Sequence, residues 1–347
     1  MSHDLRRLTA LGWSGTLEAA FADVATGISH RGLVARVDGR VVTVVTASGN
    51  QRVQLATTLS GVPAEGGVTT GDWLVVDGGV GTHLLPRRSV LMRRAAGIAT
   101  AAQAVAANID LVFVTVALGT PLKPRRIERS LAMVWSSGAT PVVLLTKSDL
   151  SADVTVDHRA TRSVALGVEV VPVSMSGDGV HRVRELLQAG SVAVLVGPSG
   201  TGKSTLVNRL VESNILGTQE VRGDGKGRHT TTHRALVELP GGGLIIDTPG
   251  TRELGLWDAA AGIDEVFGDL TDVATRCRFR DCQHEREPGC AVRAAADKDP
   301  SVLARLQSRR KLEREQRRID AARDLRALAD QRRELRRRAR SIRQNAR

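Results

Sequence analysis

The sequence GPSGTGKST, residues 197 to 205, follows the apolar run SVAVLV and precedes a helix-forming segment. It fits the pattern G-x-x-x-x-G-K-S/T, in which glycines let backbone amides wrap a phosphate and the next helix points its positive end inward. We expect Lys203 to neutralise the β- and γ-phosphates and Ser204 to bind Mg²⁺. The alternative is an ordinary glycine-rich turn. The expected nucleotide ligands in this phosphate loop are Gly197, Pro198, Ser199, Gly200, Thr201, Gly202, Lys203, Ser204 and Thr205.

A second phosphate-side element is GLIIDTPG, residues 243 to 250, one short hairpin after GRHTTTH, residues 227 to 233. An acid at the end of a buried strand is suited to hold Mg²⁺ through water, so we select Asp247, and we expect the amide of Gly250 to sense the γ-phosphate. We select Thr231 to complete the Mg²⁺ shell, although spacing alone leaves open which of the three threonines does so. Without GRHTTTH nearby, DTPG is a common turn sequence.

The motif TKSD, residues 146 to 149, resembles the guanine-reading sequence N/TKxD and ends another apolar run. Its carboxylate, Asp149, would accept two hydrogen bonds from the N1-H and N2-H₂ edge of guanine, a pair of donors that adenine lacks. As an isolated tetrapeptide, TKSD is also an ordinary strand-end loop. It indicates guanine binding because it ends a buried strand two βα units before the phosphate loop. The expected base-side ligands are Thr146, Lys147, Ser148, Asp149 and, from PVSMSG, Ser174.

The order of these motifs is unusual, because TKSD precedes the phosphate loop. Apolar runs alternate with amphipathic segments after residue 108, which predicts an α/β fold with parallel strands. Read cyclically from residue 191, the motifs follow the usual GTPase order, which predicts a circularly permuted P-loop G domain over residues 100 to 255. The expected strands are 109–118, 141–146, 168–174, 191–196, 233–239 and 243–248, and the expected helices are 125–137, 155–166, 178–189 and 203–212.

Short β-branched runs separated by turn residues fill residues 31 to 95, among them GLVARVDGRVVTVVTASGNQRVQL, GDWLVVDGG and THLLPRRSVLMRR. Strands at this spacing predict a small OB-like β-barrel, although a fragment of a sandwich has the same pattern. Residues 1 to 30 form an N-terminal extension before it. The chain is therefore expected to be multidomain.

All three cysteines lie in CRFRDCQHEREPGC, residues 277 to 290, which we call the metal knuckle. Three thiolates and one imidazole make a closed tetrahedral Zn²⁺ shell, which predicts one structural zinc ion in a zinc-binding domain over residues 256 to 300. The alternative is two buried cysteines, one surface cysteine and an incidental histidine. The candidate ligands, spaced C-x4-C-x-H-x5-C, are Cys277, Cys282, His284 and Cys290.

Positive charge is concentrated in residues 301 to 347, which hold 17 Lys and Arg against 6 Asp and Glu and so carry +11 of the chain's +12. The composition predicts a helical basic tail, either a solvated helix or coiled coil, or a phosphate-binding element. Aromatic residues make up 2% of the chain and Tyr is absent. We therefore expect RNA binding to rest on salt-sensitive backbone electrostatics and not mainly on base stacking.

No apolar run approaches the roughly 20 residues of a membrane span, and the N-terminus lacks the apolar core of a signal peptide. These observations predict a cytoplasmic protein with no membrane partner. We expect it to act as a monomer.

The barrel, the permuted G domain and the metal knuckle together resemble the ribosome small-subunit-dependent GTPase A family, RsgA, over roughly residues 31 to 300. The resemblance implies a GTPase that uses GTP/GDP with Mg²⁺ and docks on the small ribosomal subunit late in its maturation. It also implies rRNA contacts by the barrel and knuckle, and stimulation of hydrolysis by the subunit. Two features depart from the family: Thr146 stands where Asn is commoner, which we expect to weaken guanine binding, and the basic tail lies outside the resemblance.

Thr251 follows DTPG, where many small GTPases have the glutamine that orients the attacking water. We therefore select His229 as a catalytic candidate beside Lys203, although a histidine in a polar loop also serves as a local hydrogen bonder. Two other functions stay open: a GTP-dependent RNA-binding switch with little catalysis, and a P-loop ATPase or kinase. TKSD and the lack of an evident acceptor site disfavour the last.

Overall fold

Two short helices and a closed β-barrel begin the computed structural model, which describes residues 3–59, 66–94, 102–174, 176–212, 235–247 and 256–345. The strands close in the order β1-β2-β3-β5-β4, and valines that alternate along them fill the interior. This confirms the small OB-like barrel predicted from the sequence. The elements are α1 (His3–Ala10), α2 (Gly15–Ala22), β1 (His30–Asp38), β2 (Val41–Thr46), β3 (Gly49–Leu55), β4 (Trp73–Asp77) and β5 (Val80–Leu84).

The N-terminal extension holds the barrel against the central domain. Trp13, between α1 and α2, packs edge-on against Trp73 of the barrel with 4.7 Å between ring centroids. On the other side, Arg7 of α1 forms a 2.8 Å salt bridge with Glu238 of the central domain. The sequence patterns did not predict these contacts, because they join segments far apart in the chain.

A two-stranded antiparallel ribbon links the barrel to the central domain, formed by β6 (Val90–Arg94) and β7 (Ala102–Ala107). The spacing of the short strands predicted β6 as part of the barrel, but among the described strands β6 pairs only with β7. Its Leu91 is fully buried in the core shared by the barrel and the central domain. A Cβ atom on Gly71 would lie 2.2 Å from the carbonyl oxygen of Ala107, so the barrel and ribbon approach at a distance that only glycine permits.

The central domain is a six-stranded sheet in the order β10-β9-β8-β11-β13-β12, parallel throughout except for the antiparallel pair β12–β13. Its inner strands are nearly continuous β-branched and apolar runs because helices cover both faces. The elements are β8 (Leu111–Ala117), α3 (Pro124–Ser136), β9 (Thr140–Thr146), a 3-10 turn (Ser148–Leu150), α4 (Val154–Arg162), β10 (Glu169–Val173), α5 (Val180–Leu186), β11 (Val192–Val196), α6 (Lys203–Val211), β12 (Ala235–Glu238) and β13 (Leu244–Asp247).

The strand that leads into the phosphate loop, β11, lies in the middle of this sheet between β8 and β13. Residues of β8 and β9 therefore precede it in the chain and still flank it in space. Parallel neighbours need crossover connections, and here those crossovers are α3, α4 and α5. The permuted order expected from the motifs is thus built into the sheet.

The C-terminal part comprises α7 (Ala260–Val266), α8 (Gly268–Ala274), α9 (Ala291–Lys298) and α10 (Pro300–Asn345). Helix α7 packs on α3 so closely that a Cβ atom on Gly262 would lie 1.8 Å from the carbonyl oxygen of Ala132. The helix expected for the basic tail is confirmed, but its first half is not a free appendage: Leu306, Leu312 and Ile319 are buried. Among the described residues, no helix is long and apolar enough to cross a membrane.

Arg305 joins α10 to four other parts of the fold. Its guanidinium donates to Glu128 of α3 at 3.2 Å, to the carbonyl oxygens of Val164 and Val266 at 3.1 and 2.9 Å, and to Asp269 of α8 at 2.7 Å. The side chains of Arg305 and Glu128 are 7% and 2% exposed. Burial raises the pKa of Glu128, although the charge of Arg305 counteracts that shift. A buried ion pair of this kind is strongly destabilised when one partner is removed.

We predict that Arg305→Met lowers the free energy of unfolding by about 3 to 5 kcal/mol, because Glu128 keeps its burial and loses its counter-charge. Denaturant unfolding measures the change. The matched control is Arg309→Met, one turn along α10, whose partners Asp264 and Glu313 are exposed acids; its cost should stay below about 1 kcal/mol. Adding Glu128→Leu to Arg305→Met should recover much of the loss. Equal costs for the two arginine variants would contradict this assignment.

Candidate nucleotide site and metal centre

The phosphate loop has a conformation that requires glycine. Gly197, Gly200 and Gly202 have φ angles of 145°, 78° and 83°. A Cβ atom on Gly197 would lie 2.2 Å from the hydroxyl oxygen of Thr115, so no other residue fits there. Helix α6 begins directly after Gly202, and its unpaired N–H groups point at the loop. The loop and helix therefore form a cradle suited to a phosphate group.

Lys203 lies folded over this loop. Its Nζ donates to the carbonyl oxygens of Gly197 and Pro198 at 2.8 and 2.7 Å. Burial lowers the pKa of Lys203 to about 8, and the charge of Asp247 opposes that shift. An anionic phosphate in the cradle would favour the charged ammonium and compete for the two carbonyl contacts.

Thr115 supports the loop from the neighbouring strand and was missed by the sequence analysis. Its hydroxyl lies 3.0 Å from the carbonyl oxygen of Val196 and 2.8 Å from the hydroxyl of Thr201, and it is buried. The one signal in the sequence is a hydroxyl residue inside the apolar run of β8. Only the parallel register, which pairs Val114 with Val196, shows that it faces the loop.

The base-side residues meet at the ends of two adjacent strands. Thr146 is the last residue of β9 and pairs with Val173 at the end of β10, so Ser174 follows at the neighbouring strand end. Lys147 adopts a left-handed conformation with φ 57°, which turns the chain sharply before the exposed Asp149. Ser174 is buried and its backbone N–H donates to the carbonyl oxygen of Asp178 at 2.9 Å.

Both groups of residues lie at one edge of the sheet, where ligands bind in open α/β folds. The phosphate loop follows β11 and Asp247 ends β13, whereas TKSD follows β9 with β8 in between. Two strand spacings correspond to roughly 10 Å, a span suited to a nucleotide that lies across the edge. Ser199, Ser204 and Thr205 belong to the same loop and first turn. Three further candidates, His229, Thr231 and Gly250, lie outside the described residues.

The metal knuckle brings four candidate ligands together. The ligand atoms of Cys277, Cys282, His284 and Cys290 all lie within 4.8 Å of one another. The Nδ1 atom of His284 is 3.6 Å from the sulfur of Cys277 and 3.5 Å from that of Cys290, and the two sulfurs are 4.0 Å apart. Tetrahedral Zn²⁺ with ordinary bond lengths requires separations of about 3.6 Å for N and S and about 3.8 Å for two S atoms. The donor set and its spacing therefore fit zinc.

Backbone contacts hold the knuckle in this shape. The carboxylate of Glu287 accepts hydrogen bonds from the backbone N–H groups of Gln283, Glu285 and Arg286, and together with its own N–H these bonds lower the pKa of Glu287 to about 2. Cys290 also caps α9, since its sulfur accepts from the N–H of Arg293. The ligands are thus tied to a loop and a helix that sequence spacing alone did not show.

Comparisons with known proteins agree with this architecture. A family model described as RsgA GTPase matches residues 84–257. The protein named "Small ribosomal subunit biogenesis GTPase RsgA" from Streptomyces coelicolor is 46% identical over 341 residues, which cover 95% of this chain and 92% of the relative. The protein of the same name from Syntrophotalea carbinolica is 40% identical, with 86% of each chain covered.

Two solved structures share the fold. YjeQ from Thermotoga maritima has a TM-score of 0.61 and 24% identity, and the match covers 82% of this chain and 97% of that one. YloQ, described as a circularly permuted GTPase, has a TM-score of 0.57 and 19% identity, with 82% and 95% covered. The permuted sheet, the family model and the extent of the sequence matches lead to one conclusion: this chain belongs to the RsgA GTPase family.

Proposed function

We propose that this GTPase binds the small ribosomal subunit in the cytoplasm, assists its late maturation, and hydrolyses GTP to GDP and phosphate with stimulation by the subunit. The observation that carries the proposal is the placement of a phosphate loop and a guanine-type loop at one edge of a permuted sheet, in a chain that also forms a Cys3His knuckle. The curated relatives' names, which refer to small ribosomal subunit biogenesis, support the choice of partner.

We assign the nucleotide contacts by position at this edge for the described residues, and from the sequence motifs for Thr231 and Gly250. Residues 197–205 would hold the phosphates, with Ser204, Thr231 and Asp247 around Mg²⁺ and Gly250 near the γ-phosphate. Thr146, Lys147, Ser148, Asp149 and Ser174 would surround the base. Bound Mg²⁺ supplies charge compensation for the phosphates. Lys203 adds a cation there, and its charged state is favoured by the same phosphates that it binds.

We propose that His229 positions the attacking water, since Thr251 stands where many GTPases have glutamine. Under this assignment, the subunit would stimulate hydrolysis by acting on His229.

For the domains we propose the boundaries expected from the sequence: an extension over residues 1–30, a barrel over 31–95, a G domain over 100–255, a zinc-binding domain over 256–300 and a basic tail over 301–347. Within 31–95, β6 pairs with β7 and not with the barrel strands. We propose that the chain acts as a monomer and that cationic surfaces contact rRNA. Leu306, Leu312 and Ile319 of the tail are buried in the core, so we propose that the tail contacts RNA through residues beyond Ile319. Residues 327–347 hold eight Arg against two acids.

The function is tested by GTP turnover with and without purified small ribosomal subunits, with large subunits as the matched control. We expect acceleration by the small subunit alone, and tighter co-sedimentation with a non-hydrolysable GTP analogue than with GDP. Ending the chain at residue 326 should flatten the dependence of subunit binding on salt, because fewer phosphates are neutralised. Nucleotide-dependent binding without acceleration would instead establish a GTP-dependent switch, and no binding would refute the proposal.

Guanine selection gives a second prediction. Asp149→Asn should weaken GTP binding by about 5- to 100-fold and strengthen XTP binding, because the loss of the acid leaves base-edge donors of guanine unpaired while the amide matches a carbonyl of xanthine. Equilibrium binding of both nucleotides measures the exchange. Asp153→Asn, in the nearby N-cap of α4, is the control and should leave nucleotide preference unchanged. Unaltered affinities in the Asp149 variant would place the base elsewhere.

Metal content gives a third prediction. The purified chain should hold one equivalent of zinc, and Cys290→Ser should loosen it while GDP affinity at the phosphate loop persists. Elemental analysis and nucleotide titration measure the two effects. The control is Glu285→Gln, an exposed neighbour in the knuckle that should retain full zinc. A folded preparation with little or no zinc would show that the four side chains serve another purpose.

A further inference from the structure

Phe279 differs from the other aromatic residues of this chain in being exposed to solvent. The chain contains four Phe and four Trp and no Tyr, and all eight lie in the described ranges. Phe279 is 42% exposed, whereas the others are buried or half-buried. Single exposed apolar side chains are common on protein surfaces, so exposure alone indicates little. The position of this ring is what gives it meaning.

The ring is presented by a short loop, residues 278–281, between two candidate zinc ligands. The N–H of Cys282 donates to the carbonyl oxygen of Phe279 at 3.3 Å, and the N–H of Arg278 donates to that of Gly289 at 3.1 Å. With Cys277 and Cys282 both in the ligand cluster, the loop is held at each end. A loop whose backbone is fixed in this way loses little conformational entropy when its side chain contacts a partner.

The surroundings of the ring are cationic. Arg276, Arg278 and Arg280 are exposed, and within the part of the chain that the structure describes none of them has a salt-bridge partner. The guanidinium of Arg278 lies 5.5 Å from the centroid of the Phe279 ring. Asp281 is the one acid between residues 276 and 281. An aromatic ring among unpaired arginines matches a nucleobase and its phosphates better than an apolar protein groove.

We propose that Phe279 stacks on an unpaired base of single-stranded RNA while Arg278 and Arg280 contact the adjacent phosphates. The inference rests on the proposed function, because the RNA would belong to the small ribosomal subunit. It adds one stacking contact to the RNA binding by backbone electrostatics that the composition predicts. Stacking gives a contribution that persists at high salt, whereas phosphate contacts weaken as salt rises.

The test compares binding of the full-length, zinc-loaded chain to a single-stranded RNA oligonucleotide of mixed sequence and to inorganic polyphosphate, which has charge but no bases. Phe279→Ala should weaken RNA binding by about tenfold, leave the salt slope unchanged and leave polyphosphate binding unaltered. Arg280→Gln should instead reduce the dependence of RNA binding on salt and weaken the binding of both RNA and polyphosphate. Phe279→Trp should retain RNA binding, with its added fluorescence quenched by RNA.

Two further variants separate stacking from a hydrophobic contact. Phe279→Leu keeps apolar bulk without a ring and should lose as much RNA affinity as Phe279→Ala. Leu303→Ala, an exposed apolar residue on α10, is the matched control and should bind like the unaltered chain. Full RNA affinity in Phe279→Leu would indicate an apolar surface for a protein partner and overturn the proposal. Equal losses toward RNA and polyphosphate, or loss of zinc in Phe279→Ala, would also overturn it.

Small ribosomal subunits provide the second arm, with the same variants in co-sedimentation. The variants should rank in the same order of affinity for subunits as for the oligonucleotide. Phe279→Trp should bind about as well as the unaltered chain, and the Ala and Leu variants should bind about tenfold more weakly. If the chain and its Phe279 variants bind the oligonucleotide as predicted but the unaltered chain does not bind subunits, the proposed function fails and the stacking inference stands. If it binds subunits and all Phe279 variants bind equally, the function stands and the stacking inference fails.

Discussion

The arrangement of the C-terminal half depends on the contacts of one buried group, the guanidinium of Arg305. It satisfies Glu128 of α3 and two backbone carbonyl oxygens, and it lies over the ring of Phe267 at 5.1 Å. A charge so deeply buried is tolerated only because every neighbour supplies compensation. As a result α10 is held against the G domain, and the helix that carries most of the chain's net positive charge starts from a defined position.

The helices that follow the sheet in the chain are also fixed against the G domain. Twelve residues after β13 the chain enters α7, which packs on α3 around Gly262, and the Gly262 N–H donates to the hydroxyl of Ser136 at 2.8 Å. The backbone N–H of Ala259 is likewise held by Gln316 of α10 at 3.0 Å. The helices that lead from the sheet to the metal knuckle and the basic helix are therefore packed against one another and against the G domain.

Local sequence determined a large part of the molecule. The glycine pattern of residues 197–205 dictates a phosphate loop because its positive φ angles exclude side chains, and the spacing of the four zinc-type ligands brings them together through a short loop. The family, the permuted sheet and the small barrel were all predicted from such patterns and are confirmed. These features depend on residues near one another in the chain, where periodicity and turn chemistry act directly.

Only the tertiary structure decided the contacts between distant segments. The hydroxyl of Thr115 meets the phosphate loop through the register of parallel strands, and Leu91 buries β6 in a core outside the barrel. Arg305 finds Glu128 across 177 residues of sequence, and nothing in its local pattern distinguishes it from the exposed arginines of the same helix. Burial and pairing of a charge depend on what the fold brings around it, so the sequence by itself determined the elements and motifs while the packing of distant residues determined how they act together.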